Sequence, residues 1–298
     1  MAQYDGNGSR SPQWWPSRYG ADDTLGAGNE LTPERTLEAL KLPREGRVIE
    51  IAQTLEVGAP AFPPREHHQL VLCHYTLNPI SDSQMSGLEE HLTGTQHIGC
   101  HVDGLGHVGI DGHFYNGTHY RDFYNPAGLD KLGIEAVRPW VTRGVCLDIA
   151  GLEGTEMLPA GFCITPEHLE AACERQGVEV RAGDAVLLHT GWGALWMQDE
   201  RYDHEEPGAG WDACHWLTDR HVSMVSADNW AFEVIPFEQP NRAWIGHQHL
   251  IAETGTFIVE NIKTHELVAG RHSEFLFVMA PNKLKGATAS QVSPLCIV

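Results

Sequence analysis

The stretch Thr95-Gln-His-Ile-Gly-Cys-His-Val-Asp-Gly-Leu-Gly-His107 constrains this chain more than any other. On an extended backbone side chains alternate faces, so His97, Gly99, His101 and Asp103 share one side while Ile98, Cys100 and Val102 take the other. A helix would also align His97 with His101, but three glycines and Val102 argue against one. Gly99 leaves room between the imidazoles, and Gly104 with Gly106 bends the chain to bring His107 round. Two neutral imidazoles and one carboxylate suit a divalent Zn or Mn ion and leave positions open for water and substrate. The plainer reading is of ordinary loop histidines in a chain that has 18 of them. Four ligand-type side chains on one face within this short segment favour the metal reading, with His97, His101 and Asp103 as ligands.

A second candidate cluster lies in His247-Gln-His-Leu-Ile-Ala-Glu-Thr-Gly-Thr-Phe-Ile-Val-Glu260. A carboxylate ending the apolar run Phe257, Ile258, Val259 is costly to bury without a metal or a histidine beside it. His247 with Glu260 is the expected pair, His249 is a rival to His247, and an edge-strand Glu260 facing water is the bland alternative. His113 and His119, in a turn-rich loop, read as surface or supporting groups. Cys100 faces away from His101 by strand alternation and reads as core rather than nucleophile.

Other chemistries lack their signatures. There is no G-x-S-x-G elbow, no phosphate loop of the G-x-x-x-x-G-K-[ST] type, and no G-x-G-x-x-G opening a helix after a strand. Forty acidic side chains against twenty basic ones give a net charge of −20, which disfavours nucleic acid and anionic membrane as partners. No apolar run reaches the roughly 20 residues of a membrane span. Met1 to Pro16 lacks an apolar core, so no signal peptide is expected. Seven scattered cysteines without a C-x-x-C pair argue against a disulfide scaffold and for a reducing cytoplasm.

The organisation is that of an α/β protein. Residues 1–45 read as an aromatic arm (Trp14, Trp15, Tyr19) followed by a helix. Thr32 would cap that helix, Pro33 start it, Leu37 and Leu40 face inward, and Pro43 stop it. Residues 46–298 read as one domain with a mixed, barrel-like or swivelling β/β/α sheet flanked by a few helices. Strands are expected over Arg47–Gln53, Gln69–Tyr75, Asp184–His189 and Ser273–Met279. Helices are expected after Thr165-Pro166, ending at Gly177, and over Asp212–Val222.

With these residues in view, the sequence resembles the cyclase family of metal-dependent hydrolases, which includes bacterial kynurenine formamidase and isatin hydrolase. That family's His-x-Gly-Thr-His-x-Asp-x-x-x-His signature is matched by His97-Ile-Gly-Cys-His101-Val-Asp103-Gly-Leu-Gly-His107, with Cys100 in the place of Thr. Trp15-Pro-Ser-Arg-Tyr-Gly20, Arg181–Trp192, Ser226-Ala-Asp-Asn-Trp230 and Ala280–Thr288 also look familial, and the arm is similar to that of the longer, isatin-hydrolase-like group. The resemblance implies that His97, His101 and Asp103 bind the ion and that His107 is the catalytic acid–base or a further ligand. It also implies a later His and Glu at His247 and Glu260, here with one extra residue between them. Kynurenine formamidases resemble two-zinc enzymes and isatin hydrolases single-manganese ones, so one divalent ion is expected, and a second has a place at His247 and Glu260.

The implied function is hydrolysis of a C–N bond in an amide, lactam or arylformamide by water activated at the ion, with His107 moving the proton. The alternatives are a lactonase, a cyclase or dehydratase acting on a ring, or a non-catalytic metal- or small-molecule-binding member. The expected substrate is a small planar or aromatic molecule, with Phe62 and Trp230 as candidate stacking partners. A homodimer or homotetramer is expected, the arm from Ser11 to Gly28 lying in a subunit contact or over the site mouth.

Overall fold

The run Ala185-Val-Leu-Leu-His189 has no side chain on water, which marks a strand covered on both faces. In the computed structural model, which describes residues 14–73, 82–83 and 85–298, it lies at the centre of a curled nine-stranded mixed sheet. Chain order gives β1 (Val48–Glu50), β2 (His67–Cys73), β3 (Leu88–Gly94), β4 (His101–Asp103) and β5 (Trp140–Asp148). There follow β6 (Ala185–His189), β7 (Met224–Ala227), β8 (Phe257–Glu260), β9 (Glu274–Met279), β10 (Ala289–Gln291) and β11 (Leu295–Ile297). The spatial order is β1-β11-β9-β5-β6-β7-β8-β4-β10. Strands β5 to β8 run parallel, and antiparallel wings flank them on both sides. The sheet is the half-barrel that the short-strand pattern implies. His74 and Tyr75 of the second expected strand lie outside the described residues, as do Ser11 to Gln13 of the arm.

Among the helices that flank it are α1 (Pro33–Ala39), α2 (Pro166–Gln176) and α3 (Trp211–Asp219). Gly177 closes α2 in the left-handed conformation, as a C-terminal glycine should. In α1 the inward face is not the expected one. Leu37 and Leu40 are exposed, because the helix docks on β5 through buried Ala39 and through Thr36, whose hydroxyl donates to the Val141 carbonyl at 2.9 Å. Among the described residues no helix is long and apolar enough to cross a membrane.

The arm packs on its own chain. The Trp15 ring stacks on His113 with centroids 5.0 Å apart, the Ser17 amide donates to Asn116 Oδ1 at 2.7 Å, and Tyr115 donates to Asp23. This is the role of the 113–119 loop, and it keeps His113 and His119 apart from the other histidines. Among the described residues, strands β2 and β3 pair with each other alone as a ribbon, with Leu70, Val71, Leu88 and Leu92 exposed. Phe62 and Arg65 precede that ribbon and His97 follows it.

Candidate metal centre

The site forms where the parallel strand β8 meets the antiparallel strand β4. Their register sets Glu260 directly opposite His101, so the two side chains share a face. His101 Nε2 lies 3.3 Å from Glu260 Oε2 and 3.6 Å from Asp103 Oδ1. His101 Nδ1 sits 2.8 Å from the Gly99 carbonyl, which can only accept, so Nδ1 carries the proton and Nε2 keeps its lone pair. Gly99 adopts φ +64, a left-handed conformation that aims this carbonyl at both His101 and the Asn261 side chain, 3.0 Å away.

His97 reaches the same place by a different route from the one expected. Residues 96–100 form a run of bends, and β4 begins only at His101, so strand alternation does not bring His97 in. The bend does, and Thr288 Oγ1 holds the ring through Nε2 at 2.9 Å. His97 Nδ1 then stands 2.8 Å from Asp103 Oδ1, without hydrogen-bond alignment. Cys100, on the other side of the bend, is buried in the core, and burial pushes its thiol pKa far up. It is no nucleophile.

His107 follows a turn closed by its amide on the Gly104 carbonyl at 3.0 Å. Its Nε2 is 3.9 Å from Asp103 Oδ2, and its ring lies 3.9 Å from that of His97. Burial pulls the His107 pKa down to about 3 against the pull of Asp103, and the charges of His97, His247 and Arg65 add to the fall. His107 is therefore held neutral.

Three atoms test whether an ion fits. His97 Nδ1, His101 Nε2 and Asp103 Oδ1 are all buried without a hydrogen-bond partner, the two nitrogens 2.8 and 3.6 Å from the Asp103 oxygen. Buried polar atoms are nearly always paired, and orphaned ligand-type nitrogens gathered about a carboxylate oxygen are what a divalent cation satisfies. The residues fit. Among the described residues two groups of ligand atoms converge closely enough for an ion, His97–Asp103–His107 and Asp103–His247–Glu260. Asp103 belongs to both, and His101 joins them through Asp103 and Glu260.

His247, not His249, faces this centre. Its Nε2 lies 3.2 Å from Glu260 Oε1 and 4.0 Å from Asp103 Oδ2. Burial alone would lower its pKa, but hydrogen bonds to Glu233 and Glu260 raise it to about 10. His249 turns away to Thr218 at 2.8 Å and Glu253 at 2.9 Å.

A cavity of about 190 Å³ opens on the centre, lined by Phe62, Arg65, His107, Val108, Trp230, Ala231, Trp244, His247 and Glu260. Phe62 and Trp230 face each other at 5.9 Å with planes 17° apart, and Trp244 meets Phe62 edge-on. Sequence reasoning missed Glu233, Thr288, Asn261, Arg65 and Trp244. Thr288 and the neighbourhood of Trp230 lay in stretches that looked familial, but Glu233 carried no local signal.

No curated protein matches the sequence. The Cyclase family model matches residues 49–234. A crystal structure described as a novel cyclase is 28% identical, with TM-score 0.86 over 94% of this chain and 96% of that one. Isatin hydrolase A from Ralstonia solanacearum shares the fold at 19% identity, TM-score 0.65, over 84% of this chain and 91% of its own. So does a structure described as a potential metal-dependent hydrolase with cyclase activity, at 16% identity, TM-score 0.55, over 84% and 98%. With its histidine motif inside a match that spans most of its length, the chain belongs to the cyclase family.

Proposed function

We propose that the protein is a metal-dependent hydrolase of a carbon–nitrogen bond in a small amide, lactam or arylformamide. The carrying observation is the trio of orphaned atoms on His97, His101 and Asp103, whose neighbours His107, His247 and Glu260 line an aromatic cavity. A zinc or manganese ion held there would polarise the substrate carbonyl and lower the pKa of water towards 7. The rest falls to the chain's own residues. Neutral His107 takes the proton of the attacking water at Nε2 and returns it to the leaving nitrogen, which departs as the amine. Asp103 Oδ2 lies 3.9 Å from His107 Nε2, and Glu233 and Glu260 hold His247 at the cavity wall. Phe62, Trp230 and Trp244 present ring faces and edges to a planar substrate. The isatin hydrolase likeness supports this choice of bond.

The test is turnover of N-formylaniline and isatin. Chelation should abolish it, and added Mn or Zn should restore it. A protein that binds metal yet hydrolyses neither, nor simple lactones, would overturn the reading. The proposal includes a homodimer or homotetramer, measured by light scattering, and a cytoplasmic setting, which the seven scattered cysteines support.

A further inference from the structure

Two hydrogen-bond donors of cavity-lining residues have no acceptor among the described residues. Trp230 is 6% exposed, and its indole N–H is buried without a partner. Arg65 lines the same cavity half-buried, with its guanidinium 5.9 Å over the Phe62 ring. Among the described residues no carboxylate pairs with it. Arg35, Arg47, Arg143, Arg175 and Arg201 by contrast pair with acids, whereas Arg65 lines the cavity. A partly desolvated cation and a buried N–H both carry an unmet cost. A ligand that accepts hydrogen bonds and bears negative charge relieves both.

We infer that the cavity selects an aromatic molecule bearing a carboxylate, which Arg65 recognises as the specificity-determining residue and Trp230 assists. Three features limit the ligand class. The cavity is smaller than the roughly 300–1,000 Å³ of drug-sized pockets, so it takes about one ring with short substituents. Its Phe62, Trp230 and Trp244 walls favour a flat apolar body. The planar guanidinium fork matches a carboxylate in two-point contact. In a chain of net charge −20, an anion also needs such a local cation to overcome the general repulsion. The word substrate rests on the hydrolase reading above, whereas the binding preference stands apart from it.

Tryptophan fluorescence of the metal-loaded protein, titrated with benzoate and with neutral benzyl alcohol, tests the binding. Benzoate should bind at least about 10-fold more tightly, and Arg65→Gln should remove most of that difference. Trp230→Phe, which keeps a ring and deletes the N–H, should weaken benzoate more than benzyl alcohol. On the kinetic side, Arg65→Gln should raise KM for 2-formamidobenzoate at least about 10-fold more than for N-formylaniline, with kcat falling less than KM rises. Equal binding of the two probes, or an Arg65→Gln protein that discriminates as well as the parent, would overturn the inference. If benzoate binds through Arg65 but no amide is cleaved, the hydrolase reading fails and this one survives. If N-formylaniline is cleaved and benzoate is not preferred, only this one fails.

Discussion

Glu233 grips His247 at two points with a single oxygen. Its Oε1 lies 2.6 Å from the His247 amide nitrogen and 2.6 Å from the ring Nδ1, while Oε2 accepts from the Gly246 amide at 2.8 Å. With Nδ1 engaged by Glu233, Nε2 is the nitrogen turned to Asp103 and Glu260. Carboxylates that orient ligand histidines in this way typically matter 10–100-fold in metal affinity. Glu233→Gln places an NH2 group among N–H donors, so metal affinity should fall by about that factor in chelator competition. Unchanged affinity would show that the backbone alone aims the ring.

His101→Ala removes a ligand rather than its support, so its effect on metal content should be larger. The variant should purify with little zinc or manganese by elemental analysis, because two remaining ligands hold a divalent ion poorly. Full occupancy would sink the ligand assignment.

His107→Ala should fold and keep most of its metal while kcat falls by about 10²–10⁴, the usual share of general acid–base catalysis. Its ring lies within reach of Asp103, so the metal analysis is part of the measurement. Should metal vanish together with activity, His107 is a ligand first. An unchanged kcat would mean that another group carries the proton.

Gly99→Ala addresses the bend. At φ +64 a Cβ is strained, and it would sit 3.2 Å from Leu55 Cδ1. The expected cost is about 1–2 kcal/mol of stability in denaturant unfolding. Because the Gly99 carbonyl fixes the His101 tautomer, metal affinity should fall as well. A variant as stable as the parent would contradict the strain argument.

Much of the architecture was legible because it rests on local signals. The apolar run Ala185–His189 and the Thr165, Pro166 and Gly177 boundaries of α2 are each set by neighbours in sequence. The histidine cluster was legible for the same reason, since His97 to His107 fall in one short segment. Strand alternation nevertheless gave the wrong reason for His97, because a single left-handed glycine turns the chain before β4 starts. Leu37 and Leu40 misled because a small residue, Ala39, and a hydroxyl, Thr36, make the contact on which α1 docks. Glu233, Thr288 and Arg65 reach the site through distant chain crossings, which no spacing within the sequence encodes.

The pairing of β4 with β8 carries one more consequence, for how the chain is made. During synthesis His97 to His107 emerge long before Glu260, and the pairing that joins them closes late because its partners are far apart along the chain. A slip of one residue in that pairing would turn the side chains of β8 to the opposite face and set His101 against Val259 or Asn261 in place of Glu260. A misregistered chain would therefore lack the full ligand set and forgo the stabilisation that a bound ion gives the native state. A bound ion would thus check the register, stabilising only chains in which β4 and β8 have met correctly.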